Sequence, residues 1–147
     1  MFRQLLLVLL MSTTSMFALE AGETLSSKII EELNMKPKTL YVIDFFASWC
    51  HSCKKELPLV NKVYEDKIVK VIGVNVDKEM DDGISFVQKL SLSFPMVYDC
   101  EQELINNFEP IGFPTLYFIK DGKILDTLIG AKKNIDKIII QKVKELK

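Results

Sequence analysis

The sequence predicts an α/β fold in which a mixed central sheet is covered by helices on both faces. Residues 39–46 are apolar at successive positions instead of every second one, as a strand buried on both faces must be, and residues 68–76 form a second, β-branched run. Between and after them, apolar residues recur at three- and four-residue intervals, the spacing of a helix with one buried stripe. Residues 114–120 and 123–129 flank Asp121-Gly122, a hairpin signal that adds an antiparallel pair to a sheet begun in parallel. At 147 residues, 48% of them hydrophobic, there is apolar material for one core, so the chain divides into a segment 1–18 and one domain, 19–147. A net charge of −1 gives no support for binding nucleic acid or an anionic membrane.

Residues 1–18 have the pattern of a signal peptide: Arg3, an apolar run over 5–11, then small and polar residues ending at Ala18, the expected cleavage point, with Ala21 as a second choice. The run is well short of the roughly 20 residues that span a bilayer, and an uncleaved anchor is the alternative. Export to the periplasm, an oxidising compartment, is the expectation.

Ser26 or Ser27 caps a short helix with Ile29, Ile30 and Leu33 facing inward, closed by Pro37. The first strand follows over 39–46. Asp44 interrupts it, and an acid within a buried apolar run is expected to hold its proton to a higher pH than usual; a solvated edge is the alternative. A helix then runs to about Glu65. Cys50 stands at or just before its first position, where unpaired N–H groups and the helix dipole favour a thiolate. Cys53, one turn on, lies on the same side and can close a disulfide with it.

A zinc site would need further ligands, and only Cys100 and His51 remain. A purely structural disulfide closing so small a loop would add little stability. The pair therefore reads as a redox dithiol, with no metal and no cofactor. Residues 68–76 pair parallel to the first strand. Asp81 or Asp82 caps a helix bearing Ile84, Val87 and Leu90 on one face. A strand over 94–98 and a helix over 101–108, ended by Pro110, complete the middle of the chain. Cys100 lies there, and filling a small apolar niche is its expected role, with resolving a mixed disulfide or pairing between chains as alternatives. After the hairpin, Asn134 caps a last helix striped by Ile135, Ile138, Ile139, Val143 and Leu146, its lysines on a solvated face. The order is αβαβαβαββα.

Two stretches carry a family resemblance. Residues 44–54, Asp-Phe-Phe-Ala-Ser-Trp-Cys-His-Ser-Cys-Lys, resemble the thioredoxin active-site segment, with Pro58 matching the proline in the helix that follows. Gly112-Phe113-Pro114-Thr115-Leu116 resembles that family's cis-proline loop. The Lys54-Lys55-Glu56-Leu57-Pro58 continuation and the strand–helix insert over 94–108 look most like the extracytoplasmic branch typified by TlpA and ResA. The resemblance implies a three-layer thioredoxin-like fold and a thiol–disulfide oxidoreductase. Cys50 would attack a partner disulfide and Cys53 would resolve the adduct. It also implies that Asp44 assists proton transfer at Cys53, although many members of the branch have a neutral residue there. A cis Pro114 would let the backbone at Phe113 pair with an extended substrate, with Trp49 and Phe113 as an apolar rim; ordinary core packing is the alternative for Trp49.

His51 and Ser52 replace the more familiar interior that carries a proline before the second cysteine. His51 is expected either to stabilise the Cys50 thiolate or to point into solvent. Implied partners are periplasmic thiol and disulfide proteins such as apocytochrome c and a membrane electron donor of the DsbD/CcdA type, the chain acting as a monomer. A disulfide oxidase or isomerase of the same fold is the first rival. A copper- or haem-handling module using Cys50 and Cys53 as soft ligands is the second, although copper carriers of this fold use a further histidine that this chain lacks.

Overall fold

A computed structural model describes residues 19–147; residues 1–18, read above as a signal peptide, lie outside the described residues. The elements run α1 (Ser27–Glu32), β1 (Leu40–Phe46), α2 (His51–Glu65), β2 (Lys70–Asn75), α3 (Met80–Lys89), β3 (Met96–Tyr98), α4 (Glu103–Phe108), β4 (Thr115–Lys120), β5 (Lys123–Ile129) and α5 (Ile135–Leu146). This is the expected order, in a five-stranded sheet arranged β3-β2-β1-β4-β5. β1 lies parallel to β2 and β2 parallel to β3, while β4 is antiparallel to both β1 and β5. All seven residues of β1 are buried, which is why that strand shows no polar alternation except Asp44.

Adjacent strand residues point to opposite faces, so Phe45 and Phe46 report what covers each side of the sheet. Phe45 packs against Phe108 of α4 and Tyr117 of β4, with ring centroids 4.9 and 5.7 Å away. Phe46 packs against Phe86 of α3 at 6.0 Å. A Cβ built on Gly73 would touch Phe46 and Phe94, and Phe94 stacks edge-on to Tyr64 of α2, so α2 shares the Phe46 face with α3. α5 packs on α2. α1 reaches α4 through the Lys28–Glu103 ion pair at 2.8 Å, on the Phe45 face. Helices therefore cover both faces, α2, α3 and α5 on one and α1 with α4 on the other. Asp44, in step with Phe46, points to the α2 side.

Several boundaries differ from the expectation. α1 stops at Leu33 with Asn34 left-handed at φ 49°, well before Pro37. α3 begins at Met80 with Glu79 as its N-cap residue, two or three positions before the expected cap, so Asp81 and Asp82 sit inside its first turn, where the dipole favours them, instead of capping it. Its buried face is Gly83, Phe86 and Val87, with Ile84 only half-buried. α4 is capped from outside the helix: both Asp99 oxygens accept, from the N–H groups of Leu104 (3.0 Å) and Ile105 (2.8 Å). Asn134 precedes α5 without a side-chain cap bond. Residues 22–25 lie along the β5 hairpin, with Gly22 N–H donating to Ile124 O and Leu25 N–H to Gly122 O. The hairpin itself turns through Asp121 and Gly122, both at positive φ (51° and 74°).

Gly83 is required by close approach. A Cβ there would overlap the buried side chain of Asn75, which is tethered to Asp77 at 2.7 Å. Replacing a helical glycine by alanine ordinarily gains about 1 kcal/mol of helix propensity, and overpacking costs about 1–3 kcal/mol. Because the tethered Asn75 cannot withdraw, the overlap is expected to win: Gly83→Ala should lower the unfolding free energy by about 1 kcal/mol or more in urea titration. A gain in stability would show that the Asn75 side chain yields.

Candidate active site

β1 delivers its chain to a short turn and the turn delivers Cys50 to the start of α2. Cys50 is the N-cap residue, with extended φ and ψ of −83° and 101°. Its Sγ accepts from the Cys53 N–H at 3.2 Å, so the sulfur occupies the place that a serine or aspartate oxygen takes in an ordinary cap. Cys50 and Cys53 form a disulfide, their Cα atoms 5.3 Å apart. Cys50 is 7% exposed and Cys53 is fully buried, so of the two only Cys50 reaches the surface. Ser52 Oγ lies 3.5 Å from Cys50 Sγ, and His51 is exposed at the first position of α2.

The turn is held by residues to which the sequence assigned no role. Asp77, just past β2, is 4% exposed and accepts from Ser48 twice, from the backbone N–H at 2.9 Å and from the hydroxyl at 2.8 Å. Asn75 donates to the same carboxylate at 2.7 Å. Two polar residues closing an otherwise apolar central strand were the available signal, since a buried Asn and Asp must find partners. The parallel register of β1 and β2, with Phe46 opposite Asn75, puts them beside the turn.

On the other side of the disulfide, the Phe113–Pro114 bond is cis, and the Trp49 and Phe113 rings meet edge to face at 5.6 Å. Trp49 is 67% exposed, so it forms a rim and not core. A cleft of about 320 Å³ opens between these rings and the start of α3.

Two acids lie beneath. Asp44 is fully buried and neither of its oxygens has a hydrogen-bond partner. Burial, and secondarily the nearby charge of Glu56, holds its carboxyl well above the ordinary carboxylate range. Glu56, 3% exposed, is the second residue that the sequence passed over. One of its oxygens accepts from the Lys132 N–H at 2.6 Å and the other is unpartnered. Burial raises its carboxyl too, opposed by that hydrogen bond and by the Lys132 charge. Its position three after Cys53, on the same helix face, was the signal. Cys100 is free and half-buried in the turn after β3, outside the hydrophobic core, so it does not fill the expected apolar niche. Among the described residues no group of three or more His, Cys, Asp or Glu side chains converges as a metal site.

Comparison with known proteins agrees with this arrangement. The AhpC/TSA family model matches residues 17–127. A thiol–disulfide oxidoreductase ResA of Bacillus anthracis is 34% identical over 113 residues, covering 74% of this chain and 64% of the relative's length, so the match spans somewhat under two thirds of that protein. A solved structure of a putative thiol:disulfide interchange protein DsbE from Chlorobium tepidum superposes with a TM-score of 0.73 at 21% identity, over 87% of this chain and 98% of that one. StoA from Bacillus subtilis superposes with a TM-score of 0.65 at 26% identity, over 78% and 87%. The fold is thioredoxin-like.

The acid beneath the disulfide has a consequence for stability. Between the unfolded carboxyl value of about 3.9 and its raised folded value, Asp44 is protonated in the folded state and ionised in the unfolded one. Stability must then fall as pH rises through that window, by about 1.4 kcal/mol per pH unit. Urea unfolding of the oxidised protein, in which the cysteines do not titrate, should show this loss, and Asp44→Asn should be the more stable protein at pH 8 while differing little at pH 4. Parallel pH profiles for the two proteins would mean that Asp44 is ionised in the fold.

Proposed function

Because the chain belongs to the AhpC/TSA family and presents a Cys50–Cys53 pair at a helix start, we propose that it is a thiol–disulfide oxidoreductase that reduces disulfides of exported proteins. The observation that carries this reading is the Cys53 N–H aimed at Cys50 Sγ at 3.2 Å. In the reduced protein the same donor, with the dipole of α2 behind it, would favour a thiolate on Cys50 and not on the fully buried Cys53.

The reaction then proceeds in two exchanges. The Cys50 thiolate attacks one sulfur of a partner disulfide; the partner S–S bond breaks, a Cys50–partner bond forms, and the other partner sulfur leaves as a thiolate. Cys53 must next lose a proton to attack Cys50. Asp44, on the sheet face covered by α2 and with no hydrogen-bond partner, is the group proposed to take it, burial having raised its affinity for a proton. Closure of Cys50–Cys53 releases the reduced partner. Trp49 and Phe113 border the approach and Pro114 precedes β4, whose neighbouring backbone would receive an extended segment of the partner.

The name of the ResA relative and the signal-like pattern of residues 1–18 support placing the work outside the cytoplasm, in the periplasm or its equivalent. Apocytochrome c is the proposed substrate, and a membrane donor of the DsbD/CcdA type would return electrons to the pair.

The test is covalent trapping. Cys53→Ser should accumulate a mixed disulfide through Cys50 with a peptide disulfide substrate, visible by mass spectrometry, whereas Cys50→Ser should give no adduct and no turnover. Asp44→Asn should slow turnover by about 10²-fold or more, the usual contribution of a positioned proton acceptor. A Cys53→Ser protein that forms no adduct would overturn the proposal.

A further inference from the structure

The lysines of the last loop and helix do not stand on a face remote from the chemistry. Lys55, on α2, lines a hollow of about 270 Å³ together with Ser52, Lys132 and Lys133. Ser52 Oγ, on the wall of that hollow, is 3.5 Å from Cys50 Sγ, so the lysine-lined surface begins at the reactive pair. Residues 131–133 are shared with a second hollow of about 580 Å³ that follows α5 past Lys137 and Ile138 to Lys142.

Among the described residues no carboxylate lies within ion-pair distance of Lys55, Lys133 or Lys137. Glu56 is buried and bound to the Lys132 backbone, Lys142 is paired with Asp126, and Glu145 is hydrogen-bonded to Gln141. Asp136, on α5, is half-buried. Lys55, Lys133 and Lys137 are exposed, and among the described residues none of them forms an ion pair. Three exposed cations without an ion-pair partner among the described residues therefore line these two hollows, the first of which adjoins the disulfide at Ser52, in a chain whose net charge is −1.

We propose that this surface is a docking site for an acidic polypeptide segment adjoining the cysteines of the partner, so that partner choice is set by charge beside the reacting sulfurs. The inference rests on the oxidoreductase reading above. A peptide is the occupant that fits because the lysines line concavities. A bilayer would meet the lysine ends but could not follow the surface into the hollow at Ser52 beside the disulfide. Opposite charge at such a site acts mainly on the rate of productive encounter and fades with salt.

The experiment compares two peptides with the same internal disulfide, one flanked by glutamates and one by glutamines, turned over by the full protein at low and high salt. At low salt kcat/KM should favour the acidic peptide by roughly tenfold. High salt should abolish that preference, and so should Lys133→Glu/Lys137→Glu, with Lys133→Gln/Lys137→Gln intermediate. Equal kcat/KM for the two peptides would overturn the docking site while leaving the oxidoreductase reading intact. No turnover of either peptide would remove the reading on which both rest. Cosedimentation with phosphatidylserine vesicles at low salt, without a peptide preference, would assign the surface to lipid and overturn the proposal equally.

Discussion

One hydrogen bond organises the molecule around its chemistry, the Cys53 N–H donating to Cys50 Sγ at the start of α2. It requires a sulfur at the N-cap, where a residue must be extended while its neighbours are helical. That in turn requires a strand ending a few residues earlier, pinned so that the turn cannot drift. β1 meets the requirement by lying between β2 and β4 with every side chain buried. Asp77 holds the turn itself through Ser48. The sheet, its covering helices and the polar pair at the end of β2 all converge on the placement of one sulfur.

The same burial that fixes β1 sets the acids. Asp44 has no hydrogen-bond partner and Glu56 has one for a single oxygen, an arrangement that costs free energy whenever either carboxyl is ionised. A structure selected for stability alone would have apolar groups at such positions. The proton transfers that the proposed exchange requires would give a physical reason for the cost. The exposed surface around the pair is correspondingly divided. One side carries the Trp49–Phe113 rim and the other carries lysines, so an incoming chain meets apolar rings and positive charge together.

Much of this was legible from the residues. Unbroken apolar runs identified the central strands, Asp121-Gly122 identified the hairpin, and the two-residue cysteine spacing after a strand identified the reactive end of α2. The order of elements was recovered in full. What escaped shares one character: it depends on contacts between residues far apart in the chain. Asp77 reaches back to Ser48 and Glu56 meets the backbone of Lys132; the polar end of β2 and the helix-face position of Glu56 marked residues that needed partners without saying which. Asp81 and Asp82 misled because an acid suits the first turn of a helix as well as its cap. The lysines of the last helix read as solvated surface because only the fold joins their hollow, through residues 131–133, to the one at Ser52.

The central claim is that Cys50 and Cys53 form a redox pair poised to donate electrons. Its reduction potential, measured by equilibrating the protein with glutathione or dithiothreitol buffers and quantifying free thiols, tests this most directly. The account predicts a value at or below about −250 mV, in the region of dedicated reductants. A value between about −120 and −180 mV, the range of strong oxidants and isomerases, would contradict it and point to His51 as the residue that destabilises the disulfide.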